Sequence, residues 1–149
     1  IEDTVFSLLT AGFVPVITHP ERLTWIEEHY PAFKRMVNSG AWIQLTAGSV
    51  TGRFGSRPKY WAERILDEGQ CHIIATDSHH IDRRPPLLAE ARDAAAKRLG
   101  EQEALHLVVT RPQGIPDNAS PGSLPPLPSP VRTVADKKGF WRNLIARKN

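Results

Sequence analysis

Three short apolar runs, each followed by a stretch of helix length, constrain the fold of this chain more than any other feature. The runs occupy residues 13–18, 41–46 and 71–76. Near-continuous apolarity of this kind is typical of strands that are buried on both faces of a sheet. Alternation of such strands with helices predicts parallel βα units. The sequence therefore predicts an α/β fold with three βα units, drawn either from an open sheet or from part of a closed barrel.

Helices are predicted from apolar residues at three- and four-residue steps and from glycines at the helix ends. Two prolines modify this pattern. Pro15 argues against a central position for the first strand, and Pro31 predicts a break in the second helix. The predicted helices span residues 1–12, 22–38, 58–68, 86–99 and 102–109.

Composition divides the chain into a body, residues 1–117, a proline-rich linker, residues 118–130, and a basic tail, residues 131–149. Prolines are concentrated between residues 112 and 130, and such a stretch is expected to be extended, without a core of its own. The tail holds the excess of Lys and Arg, so the net charge of +3 does not indicate that the body binds nucleic acid. We expect the tail to be either a disordered extension or an amphipathic segment in weak contact with an anionic membrane surface.

The only cysteine, Cys71, excludes an intramolecular disulfide, which suits a reducing cytoplasm. No stretch approaches the ~20 apolar residues of a membrane span, and no signal peptide is recognised. The chain begins at Ile1, and its only methionine is Met36. From this we expect either a fragment or a processed chain.

Polar clusters follow the first and third predicted strands, with the sequences THPER at residues 18–22 and TDSHHIDRR at residues 76–84. Parallel folds place their sites at the carboxyl ends of the strands, where the loops converge. Asp77 and His79 can point the same way, and His19 could reach the same place from the neighbouring strand. These nitrogen and oxygen donors suit Zn, Mn or Fe. Each residue alone is better explained as part of a turn, but the two clusters together favour a metal site.

Two arginines, Arg22 and Arg84, lie a few residues beyond the candidate ligands. The planar guanidinium group matches the oxygens of a phosphate in a bidentate manner. The pair therefore suggests a substrate that carries a phosphate. The alternative is that the two arginines are solvated or are paired with Glu21 and Asp82.

The order of three motifs resembles the polymerase-and-histidinol-phosphatase (PHP) superfamily. The motifs are HPER at residues 19–22, GRFG at residues 52–55, and TDSH followed by DRRPP within residues 76–86. More narrowly, they resemble the bacterial tyrosine-protein phosphatases that regulate capsule and exopolysaccharide synthesis. The resemblance covers about residues 1–117.

This resemblance implies a distorted parallel β/α barrel, of which the chain would supply the three C-terminal βα units. It implies metal-dependent hydrolysis of phosphotyrosine, typically on a partner tyrosine kinase, with manganese as the usual metal and iron, zinc or magnesium as alternatives. Carried over by position, His19, Asp77 and His79 would be metal ligands. Arg22 and Arg84 would hold the phosphate and its transition state.

The sequence argues against a cysteine-based tyrosine phosphatase, because that mechanism needs an arginine six residues after the cysteine. Six residues after Cys71 the chain has Asp77. A thiol at the start of a buried strand is more often a small core residue.

The sequence departs from the family pattern at several points. Thr46 and His80 stand where relatives often have amide side chains, and His80 is either an additional ligand or a simple substitution. Relatives also carry an H-x-H pair and further ligands on earlier strands, so we expect this chain to bind metal weakly and to have little activity. Two alternatives stay open: a PHP phosphoesterase for a small ester such as histidinol phosphate, and a non-catalytic module that binds phosphate or a partner.

Overall fold

The computed structural model describes residues 1–82 and 85–131, and at its centre is a parallel sheet of three strands. The strands are β1 (Val16–Thr18), β2 (Trp42–Thr46) and β3 (Ile73–Ala75), in the order β1-β2-β3. In the register, Thr18 of β1 lies opposite Gln44, and Thr46 lies opposite Ala75 of β3. The predicted α/β class and the parallel strand direction are confirmed.

Helices connect and flank the strands as the alternation predicts, with differences in detail. The described helices are α1 (Glu2–Thr10), α2 (Ile26–Asn38), α3 (Ala47–Val50), α4 (Ser56–Asp67), α5 (Ala89–Leu99), α6 (Glu101–Leu105) and α7 (Arg111–Gly114). Short 3₁₀ turns lie at Pro20–Arg22 and Pro121–Ser123, and His106–Thr110 forms a π-helical turn. Within the described ranges, no helix is long and apolar enough to cross a membrane.

The second helix differs from its prediction in two ways. It begins at Ile26 rather than at residue 22, because Pro20–Arg22 forms a separate 3₁₀ turn. It also continues through Pro31 without a break. Tyr30 and Phe33 on either side of this proline are buried in the core, and their packing holds the helix against the sheet.

Burial of the strands increases from the edge to the centre of the sheet. All five residues of β2 are buried, as predicted for a strand covered on both faces. The prediction is wrong for β1, where Val16 and Thr18 are exposed, because β1 lies at an edge of the described sheet. Pro15 precedes this edge strand, a position that proline tolerates, and its carbonyl accepts the N–H of Trp42 at 2.9 Å.

The proline-rich segment is docked on the body rather than separate from it, in contrast to the predicted linker. The guanidinium of Arg111 is 1% exposed and pairs with Glu103 at 2.7 Å. It also donates to the carbonyl oxygens of Pro125 and Pro126 at 3.0 and 2.7 Å. The N–H of Val131 donates to the Asp67 carbonyl at 2.7 Å. Residues 132–149, on which the prediction for the tail rests, lie outside the described residues.

Candidate functional site

The polar clusters lie at the carboxyl edge of the sheet, as the sequence predicts. The N–H of His19 donates to the carbonyl of Gln44 at 2.8 Å and extends the pairing of β1 with β2 by one residue. His19 and Asp77 both have positive φ angles, of 40° and 50°. Side chains other than glycine rarely adopt this left-handed conformation, which marks tight turns and functional sites. The chain therefore turns sharply where β1 ends and again two residues after β3.

Three of the predicted site residues meet around one carboxylate. Nη1 of Arg22 donates to Oδ2 of Asp77 at 3.1 Å. Nε2 of His79 lies 3.8 Å from Oδ1 of the same carboxylate. The alternative pairing of Arg22 with Glu21 is wrong, because the guanidinium extends to Asp77 instead. Arg83 and Arg84 lie outside the described residues, so the predicted role of Arg84 stays a prediction.

The donor set at this edge fits part of a metal site. A carboxylate beside an imidazole, as in Asp77 and His79, is a suitable pair of ligands for Mn, Fe or Zn. Among residues 1–82 and 85–131, however, no group of three or more His, Cys, Asp and Glu side chains is placed to hold a metal ion. His19 belongs to the same edge but does not complete such a group. Nδ1 of His80 accepts the N–H of Asp82 at 3.1 Å, which is a contact within the loop.

Glu21 anchors the 3₁₀ turn that carries Arg22 and was not predicted as a site residue. Its side chain is fully buried, and its Oε1 accepts the backbone N–H of Thr46 at 3.1 Å. Burial raises the pKa of Glu21, and the Thr46 N–H opposes this shift. A glutamate is ordinarily expected at the surface, so the only sequence signal for a role of Glu21 in the site is its place in the HPER motif.

The buried carboxyl group of Glu21 lies in a polar environment with incomplete hydrogen bonding. Its Oε2, the Thr46 hydroxyl and the Ser49 hydroxyl are all buried, and none has a partner of good hydrogen-bond geometry in the described part of the chain. Unpaired buried polar atoms are rare in folded proteins and usually have a specific cause. The base of the candidate site is therefore polar, with the Glu21 carboxyl group and the Thr46 and Ser49 hydroxyls buried together.

Phe54 of the GRFG loop is a second site residue that was not predicted. The guanidinium carbon of Arg22 lies 5.2 Å from the centroid of the Phe54 ring, within the range of a cation–π contact. The ring packs on Gly48, where an added methyl group would approach its Cζ to 2.7 Å. The motif loop therefore reaches the candidate site through an aromatic ring rather than through a polar group.

Cys71 takes no part in this site. It lies just before β3, at the opposite end of the strand from Asp77, and is buried. Its thiol donates to the carbonyl of Ile73 at 3.3 Å, and burial raises the pKa of the thiol. A buried neutral thiol is a poor nucleophile, which is a second argument against a cysteine mechanism.

Comparison with known proteins assigns the family. The model of the family described as "Capsular polysaccharide synthesis, CpsB/CapC" matches residues 1–116. The chain belongs to the CpsB/CapC family. This assignment confirms the resemblance to phosphatases of capsule synthesis, and the matched region contains His19, Arg22, Asp77 and His79.

Individual relatives of the CpsB/CapC family support the same assignment. The tyrosine-protein phosphatase CpsB of Streptococcus pneumoniae is 31% identical over 120 residues, which are 77% of this chain and 49% of that protein. The tyrosine-protein phosphatase YwqE of Bacillus subtilis is 33% identical over 101 residues, which are 68% of this chain and 40% of that protein. The chain spans about half the length of the curated relatives that it matches.

A solved structure matches the fold as well. It comes from a study of YwqE from Bacillus subtilis and CpsB from Streptococcus pneumoniae, described as unique metal-dependent tyrosine phosphatases. The match has a TM-score of 0.76 at 28% identity and covers 89% of this chain and 52% of the solved chain. The three-stranded parallel sheet and its helices therefore share the fold of these CpsB/CapC relatives.

Proposed function

We propose that this chain is part of a metal-dependent phosphatase that hydrolyses phosphotyrosine on proteins in the control of capsule or exopolysaccharide synthesis. The observation that carries the proposal is the meeting of Arg22, Asp77 and His79 at the carboxyl edge of the sheet. Relatives matched over this region are named tyrosine-protein phosphatases. We propose a bacterial tyrosine kinase as the protein substrate and the cytoplasm as the location.

In this proposal, His19, Asp77 and His79 are ligands of manganese, with iron, zinc or magnesium as alternatives. When bound, the metal lowers the pKa of a water molecule to give a hydroxide and polarises the phosphoryl oxygens. Asp77 supplies negative charge to the site; its Oδ2 accepts a hydrogen bond from Arg22, and its Oδ1 lies 3.8 Å from Nε2 of His79. The separation of 3.8 Å between the Asp77 and His79 side chains supports the proposal that the two share one cation.

Arg22 and Arg84 are proposed to bind the phosphate of the substrate. Arg22 is 36% exposed, so its guanidinium group can meet a phosphate from solvent while it lies beside Asp77. A guanidinium group offers five N–H donors, of which the Asp77 contact uses one. Its fixed positive charge stabilises the charge that develops on the phosphoryl oxygens in the transition state.

We also propose that the sheet is part of a distorted parallel β/α barrel. Exposure of Val16 and Thr18 on the edge strand β1 supports this, because a barrel would continue the sheet from an edge. In the same proposal, residues 1–117 form the C-terminal part of the phosphatase domain. The segment 118–130 then serves as a docked extension of the domain.

A substrate comparison tests the proposed activity. The protein that contains this chain is assayed with Mn²⁺ against a phosphotyrosyl peptide and against histidinol phosphate, and the assay is repeated with a chelator. We expect chelator-sensitive hydrolysis that prefers the peptide, and a large loss of turnover in Asp77→Asn. Asp93→Asn, at an exposed aspartate of α5, is the matched control. Preference for histidinol phosphate would favour the small-ester alternative, and no hydrolysis of either substrate would contradict the proposal.

A second candidate function, a non-catalytic module that binds phosphate, is supported by one observation. Within residues 1–82 and 85–131, no group of three potential ligands is assembled to hold a metal. Such a module would bind phosphotyrosyl peptide through Arg22 without turning it over. Binding that Arg22→Ala abolishes, together with no hydrolysis at any Mn²⁺ concentration, would establish this alternative.

A further inference from the structure

We propose that Phe54 is a positioning residue that orients the guanidinium group of Arg22, and that Gly48 makes this orientation possible. The inference rests on the proposed function, in which Arg22 binds the phosphate of the substrate. It assigns a role to the GRFG motif, whose residues contribute no polar side chain to the group around Asp77.

The guanidinium group of Arg22 is fixed from two directions. Its Nη1 donates to Oδ2 of Asp77 at 3.1 Å, and its carbon lies 5.2 Å from the centroid of the Phe54 ring. An arginine side chain that is 36% exposed would otherwise sample many rotamers. A competing cation can draw the Asp77 carboxylate away from Arg22, whereas the contact with the Phe54 ring does not depend on that carboxylate.

The ring of Phe54 is held in turn by the backbone of α3. The Phe54 N–H donates to the carbonyl of Gly48 at 3.1 Å, which closes the loop between them. A Cβ atom on Gly48 would lie 2.7–2.9 Å from three carbons of the ring, closer than such contacts occur. Glycine is unfavourable inside a helix, and here its lack of a side chain leaves the space that the ring occupies.

The physical consequence is an effect on phosphate affinity rather than on the chemical step. Phe54 already restricts the Arg22 side chain before phosphate binds, so less conformational entropy is lost on binding. Removing the ring should therefore weaken binding of the substrate and of the transition state together. An exposed cation–π contact corresponds to a factor of about two to five in a binding constant. We therefore expect Phe54→Leu to raise KM and the inhibition constant of inorganic phosphate about two- to fivefold, with kcat nearly unchanged.

A double-mutant cycle in the protein that contains this chain tests the inference. Phe54→Leu and Gly48→Ala are each made alone and in an Arg22→Ala background, and inorganic phosphate is the probe. Both are expected to weaken phosphate binding in the parent and to have no effect in the Arg22→Ala background. Phe13→Leu, an exposed aromatic residue far along the chain from the motif, is the control. Equal losses with and without Arg22, or a fall in kcat larger than the rise in KM, would overturn the inference.

A spectroscopic measurement separates this inference from the proposed function. The ¹⁵Nε–Hε signal of Arg22 reports the order of its side chain by NMR, whether or not the protein is active. Phe54→Leu should lower that order, and Phe13→Leu should not. An unchanged signal in Phe54→Leu would overturn the role of Phe54. Unchanged phosphate affinity in Arg22→Ala would overturn the proposed function instead.

Discussion

Arg111→Met is expected to remove a large part of the stability of the fold. The guanidinium group is 1% exposed and contacts the two Glu103 oxygens at 2.7 and 3.1 Å. It also donates to the carbonyls of Pro125 and Pro126. Methionine would fill much of the volume but would leave the buried Glu103 carboxylate without a cation. Breaking one side of a buried ion pair costs about 3–5 kcal/mol, of the roughly 5–15 kcal/mol that stabilise a typical domain.

Urea unfolding followed by circular dichroism measures this loss, and two further variants define its origin. The double variant Glu103→Leu with Arg111→Met removes both charges and should recover most of the loss, because no buried charge is left unpaired. Arg92→Met is the control, since Arg92 pairs with Asp93 at the surface and should change stability by less than about 0.5 kcal/mol. A loss below about 1 kcal/mol for Arg111→Met would refute the view that this pair anchors the proline-rich segment.

Three other residues give predictions that stability and labelling measurements can check. Burial and the nearby charge of Arg111 lower the pKa of His72 to about 4, so the unfolded chain binds a proton that the native state does not. Stability should therefore fall by about 2–3 kcal/mol between pH 6.5 and 4.5, and urea unfolding at the two pH values should show a smaller fall in His72→Gln. Gly69→Ala should lower stability by at least about 1 kcal/mol, because φ is +64° and a methyl group would collide with the carbonyl of Pro128. Faster proteolysis between residues 115 and 130 should accompany the loss, and an unchanged midpoint and cleavage rate would contradict it. Native Cys71 should resist iodoacetamide, and Cys71→Ala should leave the proposed phosphatase activity unchanged, because burial raises the pKa of the thiol. Inactivation by alkylation would contradict this.

The central strand β2 could be predicted from the sequence because its own residues are mostly apolar, as expected for a buried strand. Three of the five residues of Trp42–Thr46 are apolar and all five are buried, so composition identifies β2 directly. Exposure of Val16 and the docking of the proline-rich segment could not be predicted in this way. Both depend on what lies beside the segment in space. Arg111 in particular is a charged residue whose burial becomes evident only when Glu103 and the proline carbonyls are brought to it.

Some features of the candidate site could likewise be predicted from the sequence, whereas others depend on contacts in space. His19, Asp77 and His79 were predicted at one edge of the sheet because the ends of parallel strands converge there. The pairing of Arg22 with Asp77 joins residues 55 positions apart, and the position of Phe54 depends on a space beside Gly48. Sequence spacing contains no information about such contacts. The motifs therefore predicted which segments meet, and packing decided which side chains within them touch.

Titration of this chain with Mn²⁺ shows whether His19, Asp77 and His79 bind the same cation. The loss of the free Mn²⁺ signal in electron paramagnetic resonance measures the affinity. We expect weak, saturable binding that His19→Ala, Asp77→Asn and His79→Ala each reduce at least about tenfold, whereas His29→Ala on α2 leaves it unchanged. Equal affinity in all four variants, or no binding by the parent chain, would contradict a shared cation site at His19, Asp77 and His79.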